Sequence, residues 1–218
     1  MCNYIQNIPE KTKFAMIIRH AEREPIKRMV NALDAPLTEK GKQDSFNLGQ
    51  RLSGLSPIKL FHSPAPRCRE TAEKVREGIN NKSGNAENCG ESWDLGAPYI
   101  TGDWQIIAEK VEKIGYSKFI RLWFDNNYDD GFLMPLDRAA HIQLMIMINQ
   151  LKNETVSTIN ITHDWNIMLL REYFFGLRHE DMDIPDFLDG VISFIKGNEI
   201  HLLYDNESRI IDLDTYKI

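Results

Sequence analysis

Three short apolar runs in this chain stop abruptly on charged or hydroxylated residues. Residues 14–18 (Phe-Ala-Met-Ile-Ile) give way to Arg19-His20, residues 58–63 end at Ser63 just ahead of Arg67, and the β-branched run 156–162 gives way to His163-Asp164. Helical patterns separate the first two runs and follow the second. Thr38, in Pro36-Leu37-Thr38-Glu39-Lys40-Gly41, suits a helix N-cap, Phe46, Leu48 and Leu52 supply part of a buried face, and Gly54 fits the stop. A second helix is expected over 67–78. Strand, helix, strand, helix points to a parallel sheet covered on both faces. In such sheets functional groups gather beyond the carboxyl ends of the strands. The three polar endings are therefore expected in one place.

The middle of the chain changes character. Residues 80–91, rich in Asn, Gly, Ser and Lys, read as a surface loop. Residues 93–128 carry most of the tryptophans, with helical patterning over 105–114 and 118–124. The stretch from about 80 to 135 reads as an insertion beside the mouth of the site, its aromatics assigned to a local core rather than to a ligand platform. An apolar helix follows over 136–151, then a helix over 165–175 stopped by Gly176. Residues 191–196 and 199–204 around Gly197-Asn198 form a hairpin signal, and 209–213 suits an edge strand. With no repeat or linker, one domain over 1–218 is expected. Its class is α/β, a three-layer sandwich with a mostly parallel central sheet flanked by helices and a small helical insertion near the site.

Composition removes several function classes. A net charge of -6 and a pI near 5.6 lack the basic footprint of non-specific nucleic-acid binding. No segment has the length of a membrane span, and residues 1–13 lack the apolar core of a signal peptide. Cys2, Cys68 and Cys89 form neither a disulfide framework nor a zinc pattern, so reduced thiols in a cytoplasmic protein are expected. No cysteine is followed six residues later by arginine, and there is no P-loop, dinucleotide fingerprint or metal-spaced His/carboxylate cluster. No metal or cofactor is expected.

The polar endings suit phosphoryl transfer. A neutral imidazole at His20, with its other nitrogen held by a hydrogen bond, can attack phosphorus and split hydrolysis into two easier steps. Arg19, Arg23 and Arg67 offer planar forks for the equatorial oxygens, while His163 adds a further hydrogen bond or positive charge. An exposed salt-bridging role competes most credibly at Arg23. Asp164 can protonate the leaving oxygen and then activate water, since a carboxyl beside a phosphate holds its proton more tightly; a helix N-cap is its competing role. Arg69 points elsewhere on its helix, Arg178-His179 reads as surface, and Asp212-Leu213-Asp214-Thr215 lies too late in the chain to act as a phosphatase nucleophile motif. Cys68 reads as a packed thiol despite its arginine neighbours.

Arg19-His20-Ala21-Glu22-Arg23-Glu24-Pro25 resembles the RHGxRxP signature of the histidine phosphatase superfamily in its acid-phosphatase branch. Ser63-Pro64-Ala65-Pro66-Arg67-Cys68-Arg69-Glu70-Thr71-Ala72 is similar to the second motif, and His163-Asp164-Trp165-Asn166 to the late HDxN element. The order is the family's, and the length is closer to its phosphoglycerate-mutase branch. Ala21 stands where glycine is usual, so the loop either sits less close to phosphate or needs no positive φ. The resemblance implies a metal-independent phosphomonoester hydrolase working through a phosphohistidine on His20, with Asp164 as acid and Arg19, Arg23, Arg67 and His163 binding phosphate. Its substrate would be a small phosphorylated molecule or a phosphoprotein. Glu22, Glu91 and Asp103 are reserve acids, the last two because the mutase branch takes its acid from mid-chain. The alternatives are a mutase-like phosphotransferase and a non-catalytic module that binds a phospho-ligand or protein. Composition and motifs leave oligomeric state open.

Overall fold

The structure is a computed structural model that describes residues 3–127 and 131–216. Cys2 and Tyr128 lie outside them. Strands β1 (Phe14–Arg19), β2 (Ile58–His62), β3 (Ala86–Glu91), β4 (Ser157–Thr162), β5 (Gly190–Lys196), β6 (Glu199–Tyr204) and β7 (Glu207–Asp212) form one sheet in the order β3-β2-β4-β1-β5-β6-β7. The four strands from β3 to β1 run parallel, and β5, β6 and β7 continue as an antiparallel meander. The sheet is thus parallel in its core and mixed as a whole.

Alternation along β1 builds two cores. Phe14, Met16 and Ile18 face α1 (Glu39–Leu52) and α2 (Pro66–Asn81), meeting Leu48, Leu52, Cys68 and Val75. Ala15 and Ile17 face α5 (Leu136–Asn153) and α6 (Asp164–Phe175), meeting Leu144, Met147, Ile167 and Leu170. A strand buried on both faces reads as a continuous apolar run, which is why β1 was legible. Helices α1 and α2 touch backbone to backbone. A Cβ on Gly49 would lie 2.1 Å from the Val75 carbonyl oxygen, and one on Gly78 2.1 Å from that of Phe46. Thr38 caps α1 by accepting from the Gly41 N–H at 3.0 Å, and Gly176 closes α6 in the left-handed region.

Two expectations are corrected. Residues 86–91 are not loop but the edge strand β3, paired in parallel with β2. Arg178-His179 is not simply surface. Arg178 is exposed, but His179 is buried at the start of the short α7 (His179–Met182), 3.2 Å from Glu180 and beside Arg121. Helices α3 (Trp104–Ile114) and α4 (Tyr116–Phe124) stand where the patterning put them. Their aromatics divide: Phe119, Trp123 and Phe124 join Tyr99 and Trp165 in the core, whereas Trp104 and Tyr116 reach a cavity wall. Among the described residues, no helix is long and apolar enough to cross a membrane.

Candidate active site

Sheet order explains how distant motifs meet. β2, β4 and β1 are adjacent, with Ile18 opposite Ile161 and Arg19 opposite Thr162. Backbone pairing runs one residue past the strands, the His20 N–H donating to Thr162 O at 2.9 Å and the Ser63 N–H to Ile161 O at 2.9 Å. His20, Ser63 and His163 therefore emerge side by side. The imidazole centroids of His20 and His163 are 5.7 Å apart, edge to face. Both histidines line a cavity of about 480 Å³ with Arg23, Arg67 and Asp164.

Protonation follows from the contacts. The Ala21 carbonyl accepts from His20 Nδ1 at 2.8 Å, which leaves Nε2 with its lone pair. Burial, reinforced by Arg67 and His163, holds the His20 pKa well below the usual 6.5. Arg67 donates from a terminal nitrogen to His163 Nδ1 at 2.9 Å, so His163 carries its proton on Nε2, which donates to Ser63 Oγ at 2.8 Å. Burial first, and then Arg67 and Arg19, push the His163 pKa down to about 3. His163 is therefore neutral in this structure, and the positive charge facing the cavity belongs to the guanidinium groups.

These shifts carry a sign for stability. Below about pH 6.5 the unfolded chain binds a proton at each of these histidines, while the folded chain resists until far lower pH. For His163, stability is thus full above pH 6.5 and falls as pH drops toward 3, by about 1.4 kcal/mol per pH unit, and His20 adds a loss of the same sign. Urea unfolding of wild type and His163→Asn at pH 7 and pH 5 should show a shallower loss in the variant. Equal losses would remove the claim that His163 is held neutral.

The arginines are held differently. Arg67, buried on the first turn of α2, donates to Ala32 O at 2.8 Å as well as to His163. Arg23 is half-buried, donates to Glu24 O at 3.0 Å, and has a buried Nε–H without a hydrogen-bond partner. Arg19 lines an adjoining recess rather than the main cavity. It sits 3.3 Å from Asp164 and stacks 4.1 Å over the Phe187 ring, and its buried Nε–H also lacks a partner. Unsatisfied buried donors on two cations that flank one carboxylate suit an incoming anion. Asp164 lines both spaces, and its Oδ1 accepts from the Trp165 N–H at 3.0 Å.

The reserve acids face elsewhere. Glu22 accepts from Thr38 Oγ1 at 2.9 Å and pairs with Lys40, beside the start of α1. Glu91 is exposed at the end of β3, and Asp103 caps α3 by accepting from the Gln105 N–H at 2.7 Å. None of the three lines the cavity. The mid-chain acid that does is Asp94, beside Trp93. Nothing in the residues themselves singled it out; a turn after a strand that pairs with β2 could have. Ala21 needs no positive φ, and its N–H donates to Thr71 Oγ1 at 3.1 Å. Burial raises the Cys68 thiol to about 12, as a packed thiol requires.

Residues 15–96 match the family model of the histidine phosphatase superfamily (branch 1). That stretch, which carries Arg19-His20 and Arg67, is similar to the histidine phosphatase superfamily. The matched model is that of branch 1, whereas the loop motif resembles that of the acid-phosphatase branch. Solved structures share the fold. YhfR of Bacillus stearothermophilus superposes with a TM-score of 0.61 at 21% identity, covering 89% of this chain and 97% of that one. A phosphoserine phosphatase of Entamoeba histolytica, in complex with 3-phosphoglyceric acid, gives 0.60 at 18% over 90% and 96%. A phosphoglycerate mutase of Bacillus anthracis gives 0.54 at 15% over 92% of each. At such identities the likeness is one of fold. No curated protein matches the sequence.

Proposed function

We propose that the protein is a phosphomonoester hydrolase that works through a phosphohistidine on His20 without a metal. The observation that carries this is the state of His20: neutral, oriented through Nδ1, with Nε2 unprotonated beside a cavity flanked by arginines. A substrate phosphoryl group takes hydrogen bonds from Arg67 and Arg23 and competes with Asp164 for Arg19. The exchange frees Asp164 from Arg19, and the carboxylate takes up a proton from the monoanionic phosphoryl group or from solvent. The Nε2–P bond then forms as the P–O bond breaks, and Asp164 delivers its proton to the leaving oxygen. In the second step Asp164 takes a proton from water as that water attacks phosphorus, releasing inorganic phosphate and restoring His20.

Metal independence rests on the donor set. Among the described residues, the group of His and carboxylate side chains close enough to share an ion is Glu172, His179 and Glu180. It lies outside the cavity lining, and Arg121 already bonds to both of its carboxylates. A mutase-like phosphotransferase would need a phosphohistidine that outlives product exchange. A non-catalytic binding module would need no general acid, which counts in favour of the hydrolase.

Turnover in EDTA tests the reading, and Asp164→Asn tests the acid. Wild type is expected to hydrolyse p-nitrophenyl phosphate and simple alkyl phosphates with chelator present. Asp164→Asn should lose about 10²-fold or more on alkyl esters and distinctly less on p-nitrophenyl phosphate, whose phenolate leaves without a proton. Asp94→Asn should leave that contrast as in wild type. Activity abolished by EDTA, or the contrast appearing in Asp94→Asn instead, removes the mechanism as drawn.

A further inference from the structure

The phosphate end of the cavity is polar, but its walls are not. Beyond His20 and the arginines the lining includes Met29, Trp93, Ile100, Trp104 and Tyr116, with Asp94 as an added charge. Trp93 is 76% exposed, in a chain whose other tryptophans are buried or partly buried. An indole left open to water forgoes the favourable burial of a large apolar surface, which a ligand could restore.

The turn that carries Trp93 is held firmly. Thr162 Oγ1 donates to Leu95 O at 2.6 Å, Asn166 Nδ2 to Gly96 O at 2.7 Å, and Gln143 Nε2 to Asp94 O at 3.1 Å. Thr162 and Asn166 flank His163-Asp164, so the same short segment presents the polar end and anchors the apolar wall. The facing wall is tied in by the Met29 N–H, which donates to Glu112 of α3 at 2.9 Å. Such a wall is organised before a ligand arrives.

Charge narrows the ligand further. The guanidinium groups lining the cavity are Arg23 and Arg67, set against Asp94 and Asp164, while both histidines are neutral. Once a phosphoryl group engages the two arginines, no lining cation remains for a second acid on the substrate. Asp94 would repel such a group. Lys27 and Arg28 lie in the adjoining recess of about 380 Å³, not in this cavity.

We infer that the substrates are phosphomonoesters of apolar, ring-bearing alcohols, with the ring against Trp93, and not phosphorylated acids such as phosphoglycerate or phosphoserine. This rests on the phosphatase reading above. The test uses three phosphates of primary alcohols, so that leaving-group acidity differs little: 2-phenylethyl phosphate, glycerol 1-phosphate and 3-phosphoglycerate. Wild type should show kcat/KM for the phenylethyl ester at least about tenfold above the other two. Trp93→Ala should erase about tenfold of that preference, while inhibition by inorganic phosphate moves less than twofold. Trp93→Phe should keep most of it.

A preference for 3-phosphoglycerate, or an equal loss on all three esters in Trp93→Ala, overturns the inference and leaves the phosphatase reading standing. Were no ester hydrolysed, the phosphatase reading would fail, and calorimetry would still decide this point. Tighter binding of 2-phenylethylphosphonate than of 3-phosphonopropionate supports the apolar wall; the reverse order overturns it.

Discussion

His20→Ala is expected to cut turnover of p-nitrophenyl phosphate in EDTA by about 10³-fold or more, because removing a nucleophile leaves only catalysis by binding and charge. The same replacement should abolish labelling. Wild type quenched in alkali during turnover of a radiolabelled ester should yield an acid-labile phosphohistidine in the peptide containing His20. Label on His163, or undiminished turnover in the variant, would exclude the assignment. The geometry separates the two rings sharply. His163 has both nitrogens engaged by Ser63 and Arg67, whereas His20 has one nitrogen tied and one lone pair available.

Arg67→Met should lower kcat/KM by about 10²- to 10³-fold, the range expected when one fixed donor to a developing oxyanion is lost. Methionine retains much of the buried volume, so the fold should survive. A second consequence can be read without substrate. Arg67 helps to hold the His163 pKa near 3, though burial is the larger cause. Its removal should raise that value part of the way toward 6.5, as followed by nitrogen chemical shifts of the imidazole. Activity within twofold of wild type would mean that phosphate does not touch this guanidinium. An unchanged His163 titration would mean that the Arg67–His163 contact is not what the structure shows.

A strand or helix that carries its own signal is legible in the sequence. β1 and β4 are buried on both faces, so their apolar runs announce themselves, and Gly176 stops α6 in a conformation that glycine adopts freely. That His20 and His163 meet at one cavity was legible because they follow directly on those strands. β3 was not legible: Ala-Glu-Asn-Cys-Gly-Glu has no apolar alternation, and backbone pairing with β2 holds it at the sheet edge. His179 was misjudged because its cover comes in part from Arg121 on α4, far away in the chain. Trp93 and Asp94 gained their place from the fold alone, through carbonyl groups fastened to Thr162, Asn166 and Gln143. The ion pair of Arg19 with Asp164, at the recess beside the main cavity, is a relation that no local pattern encodes.

The imidazoles rise from adjacent central strands, while Trp93 and Trp104 come from a separate stretch of chain laid over them. On the proposed function, mutation in that stretch alters which alcohol is accepted without moving the atoms assigned to breaking the ester. Descendants of such a protein could diversify in diet while inheriting their chemistry intact.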